Sequence, residues 1–211
     1  MHPYDLRPAS PRCEFSDLML QDEQHRTANE LASALGALRL ALRHGSMERD
    51  DLERTVTRLE GFIRIRRLMS CPEANGCDLA GLMRELFAAA IKGRGLPASC
   101  RLIVPSGPVR VVAELARAVL AIAHEMLTNA FKHANSRRPV VLSLRVRNER
   151  IELKCTNGCD RTEPGSPSAV CLGLRIMTAA CHAQGGSFTH DASCGSFRAR
   201  ASLPRLPRPN V

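Results

Sequence analysis

HEMLTNAFKHA, residues 124–134, closes a long apolar helix with three polar residues that a buried helix ought not to carry. Glu125, Asn129 and Lys132 stand at i, i+4 and i+7, so all three share one helical face. An acid, an amide and an amine on one stripe are costly to bury unless something partners them. The set suits a magnesium–nucleotide site, because an amide oxygen ligates a hard cation and a lysine meets phosphate. The competing reading is a solvated stripe on a half-buried helix, and the surrounding sequence has to decide.

Downstream, VVLSLRVR (140–147) and IELKC (151–155) alternate at period two and are joined by Asn148-Glu149-Arg150, a hairpin signal. A loop at 156–170 leads to a helix over about 172–184, stopped by Gly185-Gly186, and then to strands at SFTH and SFRARASLP. Gly173 opens that helix, whose free N-terminal N–H groups offer a place for phosphate. Upstream, a helix over about 78–92, strands at CRLIV (100–104) and VRVV (109–112), and the long helix over about 114–133 complete a mixed α/β layer.

Residues ahead of this layer have a different character. From Leu18 to about His44, Ala28, Leu31, Leu35, Leu38 and Leu42 recur at alternating spacings of three and four, a seam for helix–helix packing. Gly45-Ser46 ends this helix, and Leu52, Val56, Leu59 and Ile63 repeat the pattern over about 47–69. One such hairpin leaves an apolar stripe uncovered, so two copies are expected to pair into a four-helix bundle, a homodimer. The organisation expected is a flexible tail over 1–16, the hairpin over 17–70, a linker over 71–77, the α/β domain over 78–204 and a tail over 205–211.

Composition narrows the class of function. With 44% hydrophobic residues the chain has enough apolar surface to fold. No run of eighteen apolar residues occurs, and MHPYDLRPASPR lacks the apolar centre of a signal peptide, so a cytoplasmic protein without membrane insertion is expected. Nine cysteines then read as reduced thiols. Cys155, Cys159 and Cys181-His182 lack a second close cysteine pair, which argues against zinc. The net charge of +9 raises nucleic acid, but 3% aromatics and no Trp leave no base-stacking platform. The arginines are scattered, so the expected partner of this basic surface is acidic protein or polyphosphate, with no nucleic acid.

The order of these motifs carries a resemblance. HEMLTNAFKHA resembles the N box of the histidine-kinase branch of the GHKL ATPases. LGLRIM (172–177), QGGSF (184–188) and GSFRARASLP (195–204) are similar to that family's later glycine motif and final strands. HRTAN (25–29) resembles the phosphoacceptor motif of the HWE-related histidine kinases, where His-Arg-x-x-Asn opens the dimerisation helix. The resemblance covers roughly residues 18–204. It implies an α+β fold, with a helical hairpin forming a dimeric four-helix bundle ahead of a GHKL or Bergerat-type α/β sandwich. It also implies ATP and Mg2+ as cofactors. Asn129 would hold magnesium, and Asn129, Lys132, His133, Asn157, Gly173 and Leu174 the nucleotide. His25, Arg26, Asn29 and Glu125 would be catalytic.

Extrapolating the seam back from Ala28 puts the buried position at Gln24, so His25 flanks the bundle core and faces solvent. A phosphoacceptor needs that placement. Arg26 is expected to keep the ring neutral and to offset phosphate charge, while Asn29, one turn on, hydrogen-bonds the ring or the phosphoryl oxygens. The pattern departs at the adenine pocket, where the family carries Asp-x-Gly-x-Gly. Here Asn157 stands at the Asp position, Cys159 and Arg161 stand at the glycine positions, and the lid over about 160–171 is short. An amide oxygen still accepts from the adenine amine, but the lost glycines put side chains where backbone approaches the nucleotide.

Two functions follow. The first is a histidine kinase of a two-component system without its own sensor segment, moving the ATP γ-phosphoryl group to His25 and then to an Asp of a response-regulator receiver domain, with a separate sensor protein upstream. The second is a histidine phosphotransfer or docking protein whose ATP-binding domain is degenerate.

Overall fold

The computed structural model describes residues 10–44, 49–70, 76–92, 99–135, 138–159, 172–193 and 195–206. The Gly45-Ser46 turn, residues 71–75 of the linker, the lid with Arg161, and residues 1–9 and 207–211 of the two tails lie outside them.

Helix α1 spans Pro11–His44 and α2 spans Arg49–Met69. The start of α1 corrects the expected tail over 1–16, because residues 11–16 are helical. Ser10 begins the helix: its hydroxyl accepts the Cys13 N–H at 3.4 Å, Pro11 occupies the first turn without wasting a donor, and Glu14 meets the positive end of the dipole. Tertiary contact then holds the extra turns, since Phe15, Leu18 and Met19 pack against Ile176 and Ala179 of the last helix. Glu23 pairs with Arg66 and Glu30 with Arg58, so α2 runs antiparallel to α1.

Behind the hairpin, β1 (Cys77–Asp78) pairs with β3 (Arg110–Val111), and between them lie α3 (Leu79–Lys92) and β2 (Cys100–Ile103). The sequence pattern did not announce β1. Asp78 fixes it: one carboxylate oxygen accepts from Ala80 N–H at 3.2 Å and Val109 N–H at 2.9 Å, capping α3 and tying it to the second strand of the ribbon.

Helix α4 (Ala113–His133), strands β4 (Val140–Arg147) and β5 (Arg150–Gly158), helix α5 (Leu172–Ala183) and strands β6 (Ser187–Ser193) and β7 (Ser196–Pro204) complete the layer. The sheet order is β2-β4-β5-β7-β6, with β2 parallel to β4 and the other pairs antiparallel. Asn148 and Glu149 turn β4 into β5 with φ of 47° and 58°, the left-handed conformation a two-residue hairpin needs. Strand β5 runs three residues past the expected Cys155, because β7 continues to pair it through Asn157↔Phe197 and Gly158↔Ser196. At the end of α5, Gly185 adopts φ +66° and Gly186 N–H bonds back to Cys181 O at 2.8 Å. A Cβ on Gly186 would meet Ser202 O at 2.4 Å, so helix and strand approach too closely there for a side chain.

The core lies on one face of the sheet. Leu142, Leu144, Ile151 and Leu153 point inward onto Leu120, Ile122, Met126 and Leu127 of α4 and Met177 and Ala180 of α5. α1 packs on α5 and α2 on α3, outside this layer. The other face of the sheet carries polar side chains. Burial pushes the Cys155 and Cys181 thiols up to about 12, which leaves them protonated and unreactive. Among the described residues no helix is long and apolar enough to cross a membrane.

Candidate functional site

Acids on one face of α1 fix its rotation. Asp22 Oδ2 lies 2.6 Å from Arg26 Nε one turn on, Glu30 Oε2 lies 2.8 Å from Arg58 Nε, and Glu23 pairs with Arg66. The Arg66 guanidinium also sits 5.9 Å from the Phe62 ring centroid. Each exposed pair stabilises little by itself. Together they decide which residues of α1 face the layer and which face water. Arg26 faces the layer and His25, its neighbour, is exposed.

Glu125 is 3% exposed. Its Oε1 lies 2.5 Å from Arg26 Nη2 and 3.7 Å from His124 Nδ1. Burial pushes its carboxyl up, but the hydrogen bond from His124 and the charge of Arg26 outweigh that, so its pKa falls. Gly173 closes the third side. A Cβ there would stand 2.5 Å from Glu125 Oε2 and 3.5 Å from Asn129 Nδ2, so α5 rests directly on the polar stripe of α4. The structure therefore brings together Arg26, Glu125, Asn129 and Gly173. Lys132 and His133 lie further along α4 and are exposed, and Leu174 is half-buried against the core.

Asn29 turns elsewhere. With Arg26, His124, Thr128, Phe62 and Phe131 it lines a cavity of about 470 Å³ walled by α1, α2, α3 and α4. Arg26 directs two of its donors to Asp22 and Glu125, so it holds α1 against the layer rather than reaching toward the exposed ring of its neighbour.

The adenine end is different again. Asn157 is 2% exposed, its Nδ2 donates to Gly158 O at 2.8 Å, and its Oδ1 has no partner among the described residues. Gly158 O also accepts the Asn135 N–H at 3.1 Å, which fastens the end of α4 to the end of β5. Phe197, opposite Asn157 in the register, stacks on His190 with ring centroids 6.0 Å apart. The orphaned Oδ1 fits an adenine amine. At the other end the Glu125 carboxylate is buried and paired with Arg26, Asn129 lies beside Gly173, and Lys132 is exposed.

Asp22, Asn135 and Phe197 were not singled out from the sequence. Asp22 was findable, being an acid one turn before Arg26. Phe197 is the ring of the GSF motif, and nothing local marks Asn135.

No family model matches the chain, and no curated protein does. Solved structures do. A bacterial phosphotransferase solved at 1.7 Å is 11% identical, over 95% of this chain and 100% of that one, with a TM-score of 0.64. The histidine kinase domain of the blue-light-activated kinase EL346 from Erythrobacter litoralis is 18% identical, over 92% of each chain, with a TM-score of 0.56. A histidine kinase from Burkholderia phymatum STM815 is 15% identical, over 92% of this chain and 96% of that one, with a TM-score of 0.54. The chain thus has the α+β fold of these histidine-kinase structures, a helical hairpin ahead of a mixed α/β layer.

Proposed function

We propose that this chain is a histidine phosphotransfer protein of a two-component system, built on the histidine-kinase fold. His25 takes a phosphoryl group from the aspartyl phosphate of one receiver domain and passes it to the Asp of another. The neutral ring nitrogen attacks phosphorus, the bond to the carboxylate oxygen breaks, and Asp leaves as a carboxylate; the return step reverses this. The observation that carries the reading is the Arg26–Glu125 pair, which takes up the carboxylate a kinase would need while leaving His25 exposed beside it.

The exposed Leu31, Leu35 and Leu38 of α1 and Leu52, Val56 and Ile63 of α2 form the seam of a homodimer, whose four-helix bundle presents two His25 rings. The setting proposed is cytoplasmic, with a separate sensor protein upstream of the donor receiver. The kinase reading is supported by the unpartnered Asn157 Oδ1, which an adenine amine would satisfy, and by the fold shared with histidine kinase domains.

Two labelling routes separate them. Wild-type protein and His25→Gln are incubated with γ-labelled ATP and magnesium, and in parallel with a labelled phospho-receiver domain. Acid-labile, alkali-stable label arriving from the receiver on wild type, absent from His25→Gln and not arriving from ATP, is expected. Label from ATP that disappears in His25→Gln would establish the autokinase instead. Label that survives in His25→Gln removes His25 as the acceptor.

A further inference from the structure

The face of the sheet turned away from the helices is a field of cations. Across its middle the register sets Ser143 opposite Lys154, Lys154 opposite Arg200, and Arg200 opposite Thr189. Two residues along the strands, Arg145 stands opposite Glu152. At one end Arg147 faces Arg150, and at the other Arg198 lies between Thr156 and Asp191, with Arg101 on the same side of β2. Seven basic side chains thus share the face with two acidic ones. Among the described residues Lys154, Arg200, Arg145 and Arg147 make no ion pair. The central part is a shallow concavity of about 600 Å³.

Like charges directly opposite in an antiparallel pair are destabilising. Lys154 against Arg200 is such a pair, and among the described residues neither makes an ion pair with an acid. We propose that this face docks the acidic surface of a partner protein. Its size fits a protein: four strands of seven to nine residues and one of four, at about 4.8 Å between strands and about 3.3 Å per residue, give roughly 600 Å² per side. That is the scale of a transient, charge-steered encounter. Nucleic acid fits less well. Ser143, Thr156, Ser187, Thr189 and Ser202 fill the spaces between the cations, so no ring is offered for a base to stack on. Glu152 and Asp191 would also repel a continuous phosphate backbone. The surface lies on the far side of the layer from α1, so a protein docked here leaves His25 free, and the proposal stands apart from the function proposed above.

The test uses the full chain and fluorescent poly-L-glutamate, followed by anisotropy at about 50 mM salt, where surface charge is weakly screened. Single-stranded and duplex DNA of equal charge are run beside it. Lys154→Glu with Arg200→Glu is expected to weaken poly-L-glutamate binding at least about tenfold. Arg39→Glu with Arg117→Glu, the same change in net charge elsewhere, is expected to stay within about twofold. Arg145→Gln with Arg147→Gln guards against a misfolded reversal, and is expected to weaken binding by about threefold. Lys154→Glu alone should raise the melting temperature while weakening binding, because it turns a repelling pair into an attracting one. Equal losses in the sheet and control reversals, no binding by the wild type, or tighter binding of either DNA with loss confined to the sheet variants would each overturn the proposal.

Discussion

The α/β layer buries Leu79, Met83, Leu86, Leu115, Leu120 and Ile122 completely, whereas the described part of α1 buries Leu18 and Ala34 and leaves Leu31, Leu35 and Leu38 in water. The layer closes its own core. The hairpin rests on that layer through Arg26 on Glu125 and through the apolar cluster of Phe15, Leu18 and Met19 on α5, and holds itself together through Glu23–Arg66 and Glu30–Arg58. One region closes its own core, and the other leaves an apolar stripe uncovered, the face proposed above for a second copy. On that proposal, the hairpin carrying His25 is the part of the molecule completed by association.

The comparison breaks most visibly at the stripe. Leu31→Glu with Leu35→Glu removes apolar side chains worth about 1.5–3 kcal/mol each from both copies of a paired bundle. Dissociation to monomers is expected, with the dimer Kd rising at least about a thousandfold and the layer still folded. Sedimentation at micromolar concentration reads it, and an unchanged dimer would mean that the seam lies elsewhere.

The junction between the regions comes next. Arg26→Ala leaves the Glu125 carboxylate buried without its guanidinium and should cost about 3 kcal/mol in urea denaturation. Arg26→Met with Glu125→Met, which removes both charges, should recover most of that loss. If both variants lose equally, packing rather than charge holds α1 to the layer.

Acid sharpens the same distinction. Glu125 titrates below its ordinary value for the reasons given above. Asp78 does so as well: burial pushes it up, but hydrogen bonds from the Val109, Gly81 and Ala80 N–H groups and the charge of Arg84 bring it down. A carboxyl whose folded pKa is depressed stabilises above its unfolded pKa, and that contribution is lost as pH falls through the folded value. Stability from these two groups should therefore be constant between about pH 7 and 5 and decline below about pH 4. Glu125→Gln should flatten the part of that decline in which the hairpin leaves the layer, and hydrogen exchange along α1 reads it.

The smallest effect belongs to the turn. Glu149 holds φ 58° without being glycine, so Glu149→Gly should raise stability by up to about 1 kcal/mol. A fall in stability would show that the Glu149 side chain does something the backbone conformation does not reveal.

Elements whose register is written in hydrophobic spacing were legible before the fold was known. Strand β4 matches its expected span, and α3, α4 and α5 match within a residue or two. Cooperation between distant segments was not legible. Leu18 and Phe15 extend α1 because α5 lies alongside, and β5 continues to Gly158 because β7 does. The site was less legible. His25 is exposed, but so are Gln24, Ala28 and the seam leucines in one chain, so its offset to the seam is decided only by a second copy. The fate of Glu125 was not legible, because its partner stands 99 residues earlier and only the docking of α1 brings Arg26 to it.

The apolar cluster of Phe15, Leu18 and Met19 on α5 has a mechanical consequence. The layer is held to the hairpin by this cluster near the start of α1, by Arg26 on Glu125, and by α2 along α3. A body held at several separated places cannot turn without first releasing some of them. To bring its glycine-led helix over His25, the layer would first have to peel away from Phe15 and Leu18. The receiver domain proposed above would meet no such obstacle, because His25 is exposed.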